Sequence, residues 1–184
     1  AGGTGTGTSA SVIGIIINAT SANHTLSGNT VHSLSNTNAA AATTVTGISF
    51  GSSTGTNAVS KNNIYGLSVA SATGIINGLN VSAGTATYSN NMIAVGEGVN
   101  VGAAVNGINE TTAGTDNFYH NSVYVGGAPT GGASNSFAFQ SSITTNVRNY
   151  VDNIFFNARS NSGSTGKHYA IRVGGTTALP AGLT

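Results

Sequence analysis

The sequence predicts an all-β fold: parallel strands wound into a solenoid of about six coils. Three observations carry this. Near-copies of one short segment return about every 30 residues, a spacing typical of solenoid coils. Each copy couples an Asn to an apolar residue two positions later. Apolar and polar positions alternate at the period of a strand, and the three-and-four spacing of an amphipathic helix is absent.

Residues 1–10, all Gly, Thr, Ser and Ala, read as a flexible or partner-ordered N-terminal segment, 11–175 as the solenoid and 176–184 as a C-terminal tail. A first strand opens each coil. Its copies are Gly14-Ile15-Ile16-Ile17, Gly47-Ile48-Ser49-Phe50, Gly78-Leu79-Asn80-Val81, Gly107-Ile108-Asn109-Glu110, Ala138-Phe139-Gln140-Ser141 and Ala170-Ile171-Arg172-Val173. Because side chains alternate across a strand, Ile15, Ile48, Leu79, Ile108, Phe139 and Ile171 are expected to stack as one interior column. A second, weaker strand carries Leu26, Val59, Tyr88 and Phe118, each three residues before Asn29, Asn62, Asn91 and Asn121.

The third strand is launched from that Asn. Its clearest copies are Ser60-Lys61-Asn62-Asn63-Ile64-Tyr65-Gly66-Leu67-Ser68 and Ser27-Gly28-Asn29-Thr30-Val31-His32-Ser33-Leu34-Ser35. Val31, Ile64, Ile93, Val123 and Ile154 are expected to form the facing interior column, and His32, Tyr65, Tyr124 and Phe155 an outward column broken by Ala94. In the fifth coil Asp152 or Asn153 fits the Asn column, and only Asn153 puts Tyr150 in line with the apolar residues upstream. Asn tolerates the left-handed backbone of a sharp turn, and its amide can pair with the amides of the coils above and below. Asn29, Asn62, Asn91, Asn121 and Asn153 are therefore the candidate structural ladder.

With that ladder in view the chain resembles the right-handed parallel β-helix proteins of the pectate-lyase-like class. The segments Asn121-Ser122-Val123-Tyr124, Asn153-Ile154-Phe155-Phe156-Asn157-Ala158-Arg159-Ser160 and Gly166-Lys167-His168-Tyr169-Ala170-Ile171 are similar to repeats of large secreted bacterial surface proteins. The resemblance covers roughly residues 12–175 and implies a right-handed coil and an extracellular or cell-surface location, with a bacterial source. It leaves activity open, because this architecture hosts lyases, hydrolases, adhesins and inert stalks.

Composition narrows the function classes. Five Lys and Arg against four Asp and Glu give a net charge of +1, too little to steer nucleic acid or an anionic membrane. The chain has no cysteine, which excludes disulfides and thiolate chemistry, and no apolar run long enough for a membrane span. Carbohydrate lyases and hydrolases on this fold use clustered carboxylates. Here the acids are Glu97, Glu110, Asp116 and Asp152, which form no ladder in this register. Glu110 falls in a column of apolar residues, so it either points inward or ends its strand, the second being the simpler expectation. Asp116 and His120 are near enough for an acid and imidazole pair, although a surface hydrogen bond is the commoner outcome. His24, His32, His120 and His168 lack metal-ligand spacing, so no metal and no cofactor are expected.

The expected function is a non-enzymatic extracellular module: a filament subunit, or a surface stalk or adhesin segment. Its partners would be copies of itself or adjoining coils of a longer chain, meeting end to end through open β-helix edges. The alternative is a polysaccharide-binding or polysaccharide-cleaving β-helix using the outward rings.

Overall fold

In a computed structural model, residues 2–3, 11–20 and 23–174 are described. They are built from strands alone. The chain enters through β1 (Gly2–Gly3), β2 (Ser11–Ile17), β3 (Thr25–Ser27) and β4 (Thr30–Asn36). Next come β5 (Thr44–Ser60) and β6 (Asn63–Val69), then β7 (Ile75–Ser89) and β8 (Met92–Val95). β9 (Ala104–Glu110), β10 (Asn117–Tyr119) and β11 (Ser122–Val125) are followed by β12 (Ser136–Ser141), β13 (Asn149–Val151) and β14 (Ile154–Asn157). β15 (His168–Val173) is the last described strand.

Every pairing is parallel and joins a strand to its copy one coil away. One sheet runs β1-β4-β6-β8-β11-β14. The second carries two stacks, β2-β5-β7-β9-β12-β15 and β3-β5-β7-β10-β13, fused because β5 and β7 run through both. Six stacked copies of the first strand enclose about five turns. Coils of unequal length are accommodated at the bends: β5 slips in register against β7 between Phe50 and Gly51 and again between Ser52 and Asn57.

The core follows from this register. Ile15, Ile48, Leu79, Ile108, Phe139 and Ile171 pair in sequence, as the repeat predicts. Leu26, Val59, Tyr88, Phe118 and Tyr150 form a second column, which places Asn153 in the Asn column. The third runs Val31, Ile64, Ile93, Val123 and then Phe155. Ile154 instead pairs with Ser122 and is 66% exposed. The expectation that Ile154 is interior and Phe155 outward is thus reversed, since a one-residue shift in a strand flips every side chain to the other face. Phe156 takes the outward place beside Tyr124.

Val31, Ile64, Ile93 and Val123 of the facing sheet fill the space that a Cβ would take at Gly14, Gly47, Gly78 and Gly107. A Cβ on Gly107 would overlap the Val123 side chain and lie 2.5 Å from the Ala138 carbonyl oxygen. Backbone cannot yield as a flexible side chain can, so Gly107→Val is expected to destabilise the fold by about 3 kcal/mol. Urea unfolding followed by circular dichroism would check this, and an unchanged midpoint would contradict the packing described.

Candidate functional site

The Asn column is the most regular polar feature. Asn29, Asn62, Asn91 and Asn121 each donate from Nδ2 to the Oδ1 of the next ladder Asn, at 2.9–3.0 Å, ending on Asn153. The same Oδ1 atoms accept the backbone N–H of the preceding member at 2.9–3.1 Å. From Asn62 onward the second Nδ2 hydrogen reaches one coil back, to the carbonyls of Leu26, Val59, Tyr88 and Phe118. Asn62, Asn91 and Asn121 are buried, so the bonds that join these three are formed away from competing water.

The left-handed residue of each turn is not the ladder Asn but the one before it. Gly28, Lys61, Asn90, His120 and Asp152 have φ between 53° and 72°. A side chain that binds the neighbouring coils must leave from the start of the strand, and the turn falls on its predecessor. That position varies in type because only its backbone is constrained. Lys61 and His120 hold a conformation that L-residues adopt at some expense, which the ladder bonds offset.

Two further polar columns are not evident from the sequence. In the second sheet buried Asn106 donates to buried Asn77 at 2.8 Å. Beside them Asn109 donates to Asn80, Gln140 to Asn109 and Arg172 to Gln140, at 3.1–3.3 Å. Their signal is present in the repeat, as Asn77 and Asn80 flanking Leu79 in register with Asn106 and Asn109 flanking Ile108, but Thr46 and Phe137 interrupt the first column. Arg159 likewise stands outside the repeat pattern: it is buried, and its guanidinium donates to the carbonyls of Val99, Gly126 and Val101 at 3.1 Å, stapling three loop carbonyls.

Asp116 and His120 form neither an acid and imidazole pair nor the surface hydrogen bond expected in its place. His120 lies on the surface with its Nδ1 3.8 Å from Asp152, while Asp116 is fully buried and accepts the Ala86 N–H at 2.9 Å. Asp116 stands two residues before the inward Phe118, so strand alternation carries it inside. Arg148, two before Tyr150, is buried for the same reason. Glu110 ends β9 and also points inward, fully buried, against the expectation that strand termination would leave it in solvent. It accepts the Tyr150 hydroxyl at 3.3 Å. Arg148 Nη1 donates to Ser141 Oγ at 3.1 Å and to the Ile143 carbonyl. Burial, and then the Glu110 charge, push the Asp116 carboxyl up to about 8. Burial also raises Glu110, partly offset by Ser141 and Arg148. Being enclosed, this group has no route to a substrate and acts within the core.

Glu97 is exposed beside Tyr65 and Gly66, without an acidic neighbour in that groove. Among the described residues no group of three His, Cys, Asp or Glu side chains is placed to hold a metal.

The outward column is His32, Tyr65, Ala94, Tyr124 and Phe156. His32 and Tyr65 stack at 5.1 Å with planes 7° apart, and Tyr124 and Phe156 meet at 5.9 Å, tilted by 52°. Ala94 leaves a gap between the two pairs. It forms the floor of an apolar groove of about 250 Å³ with Met92, Tyr124, Ile154 and Phe156. Comparison of the chain with family models, with curated proteins and with solved structures finds no match.

Proposed function

We propose that this chain is an extracellular structural module, a filament subunit or a surface stalk or adhesin segment, whose coils continue end to end into other coils. On this reading it is a right-handed, pectate-lyase-like β-helix of a secreted bacterial surface protein. The observation that carries the proposal is the condition of the stack ends. β13, β14 and β15 are each paired on one side only among the described residues, and Ile171, a member of the interior column, is 52% exposed there. Unpaired parallel edges over an apolar interior are templates for a further coil. Few charges stand against such contact.

The test is negative-stain microscopy beside light scattering on the purified chain. Rods of uniform width that lengthen with concentration are the expected result. Strictly monomeric particles at high concentration would remove self-assembly and leave only adjoining coils as the partner.

The Ala94 groove favours a second reading, polysaccharide binding or cleavage, because exposed Tyr and Phe rings can take the apolar face of a sugar. Only Asn63 and Ser122 supply polar side chains to its lining besides the Tyr124 hydroxyl, which is sparse for a sugar site. If glycans bind there, Tyr124→Ala should lower affinity at least about tenfold, the loss of one well-packed ring. A broad glycan array without a signal would exclude binding.

A further inference from the structure

We infer that the outer face of the sheet β4-β6-β8-β11-β14 seats a second copy of this chain, the two packed face to face about a two-fold axis that runs along the solenoid. Beside the outward column from His32 to Phe156, strand alternation places a second one: Thr30, Asn63, Met92, Ser122 and Ile154. Met92, Ile154 and Phe156 are 62%, 66% and 57% exposed. A contiguous apolar patch on an otherwise polar surface marks an interaction site. What it takes follows from the order of side-chain sizes and from two charges at its edges.

In the first four rungs a small outward residue stands beside a larger one, and the order reverses once: Asn63 precedes Tyr65 and Ser122 precedes Tyr124, but Met92 precedes Ala94. A two-fold axis along the solenoid keeps each rung at its own height and exchanges the two columns. Every small residue therefore meets a large one of the other copy. Met92 enters the gap that the other copy's Ala94 leaves between its rings, and in the fifth rung Ile154 meets Phe156, apolar on both sides. Charge follows the same symmetry. Lys61 stands at the edge where β6 is launched, and Glu97 stands at the opposite edge, beside Tyr65 and Gly66 of that same rung. Both are exposed, and neither makes an ion pair among the described residues. Exchanging the columns exchanges these edges, so Lys61 of each copy comes to Glu97 of the other.

Five rungs about 4.8 Å apart and two columns about 7 Å apart make roughly 450 Å² per copy, about 900 Å² in all. That is small for a permanent interface, so the dimer forms and dissociates at chain concentrations on the order of 10–100 μM. The contact is isologous and closes at two copies. Its axis leaves both ends of the solenoid free, so the pairing goes beyond the end-to-end reading and does not rest on it.

Carbodiimide coupling reads the pairing directly, because it joins an amine to a carboxylate only where the two touch. Within one chain Lys61 is five residues, or about 17 Å of strand, from Gly66, beside which Glu97 lies, so the two do not couple intramolecularly. At about 0.2 mM chain, covalent dimers carrying a Lys61–Glu97 amide are expected in the peptide mass spectrum, and Glu97→Gln should abolish that amide. Ala94→Met, which fills the gap, should weaken the dimer about tenfold in sedimentation equilibrium. Met92→Ala/Ala94→Met, in which large and small trade places, should restore it, with circular dichroism confirming that both variants are folded. A monomer at about 1 mM, a Lys61 amide to another acid, or a double variant as weak as the single one would overturn the pairing. Rods without the Lys61–Glu97 amide overturn it and leave the end-to-end reading standing; dimers that carry the amide but form no rods support it and count against self-assembly through the ends.

Discussion

Replacing Asn91 with Leu is expected to cost roughly 4 kcal/mol of stability, from unpaired buried groups at about 1–3 kcal/mol each. Leu is comparable to Asn in size and shape, so the loss is chiefly one of hydrogen bonds. Asn91 Oδ1 accepts both Asn62 N–H groups at 3.0–3.1 Å, and its Nδ2 donates to Val59 and Asn121 at 2.9 Å. After substitution Asn62 and the Val59 carbonyl are left buried without these partners. Against a total stability on the order of 5–15 kcal/mol, that brings the chain near unfolding at ambient temperature. Asn29→Leu, at the solvent end of the same column, should cost about 1 kcal/mol or less. Urea midpoints for the two variants decide it: equal losses would mean that the ladder interior contributes no more than its end.

The second large effect is in pH. Asp116 ionises near 4 in an unfolded chain and is held at about 8 in the fold, chiefly by burial and then by Glu110. A folded-state value above the unfolded one means that folding favours the protonated acid. Its contribution is therefore full below pH about 4, falls as pH rises through the interval, and is gone above about 8. Glu110 is raised as well and acts with the same sign. Tyr88 and Tyr150 are shifted upward, away from this window, and Arg148 offsets part of the carboxylate charge. Allowing for relaxation and water entry, a loss on the order of 3 kcal/mol is expected between pH 4 and 8. Asp116→Asn keeps an acceptor for the Ala86 N–H and removes the charge, so it should flatten the profile and raise stability at pH 8. A wild-type urea midpoint that is level across this range, or an Asp116→Asn profile that is equally steep, would refute the linkage.

Much of this organisation is legible in the sequence. The interior column from Ile15 to Ile171 can be read because its residues recur beside the same Gly or Ala and strands repeat side-chain direction every second residue. The ladder can be read because an Asn that recurs at a fixed distance from an apolar residue marks the same turn in every coil. Ile154 and Phe155 mislead because Ile154-Phe155-Phe156 is apolar throughout, so composition carries no information about face. There the pairing of Ser122 with Ile154 settles which residue is inside. Asp116 misleads through nearness to His120 along the chain, although its two-residue spacing from Phe118 already points inward.

Sequence by itself determined the all-β class, the parallel stacking and the identity of the ladder residues, because period-two alternation and coil-to-coil repetition are local and linear properties. Tertiary structure decided what depends on contacts between different strands of one coil. It brought Glu110 from the first strand beside Asp116 and Tyr150 from the second, set the Gly column under Val31 and Ile64, and left one ladder end rich in acceptors and the other in donors. Such relations run around the coil, where loops of unequal length set the alignment, and no period along the chain encodes them.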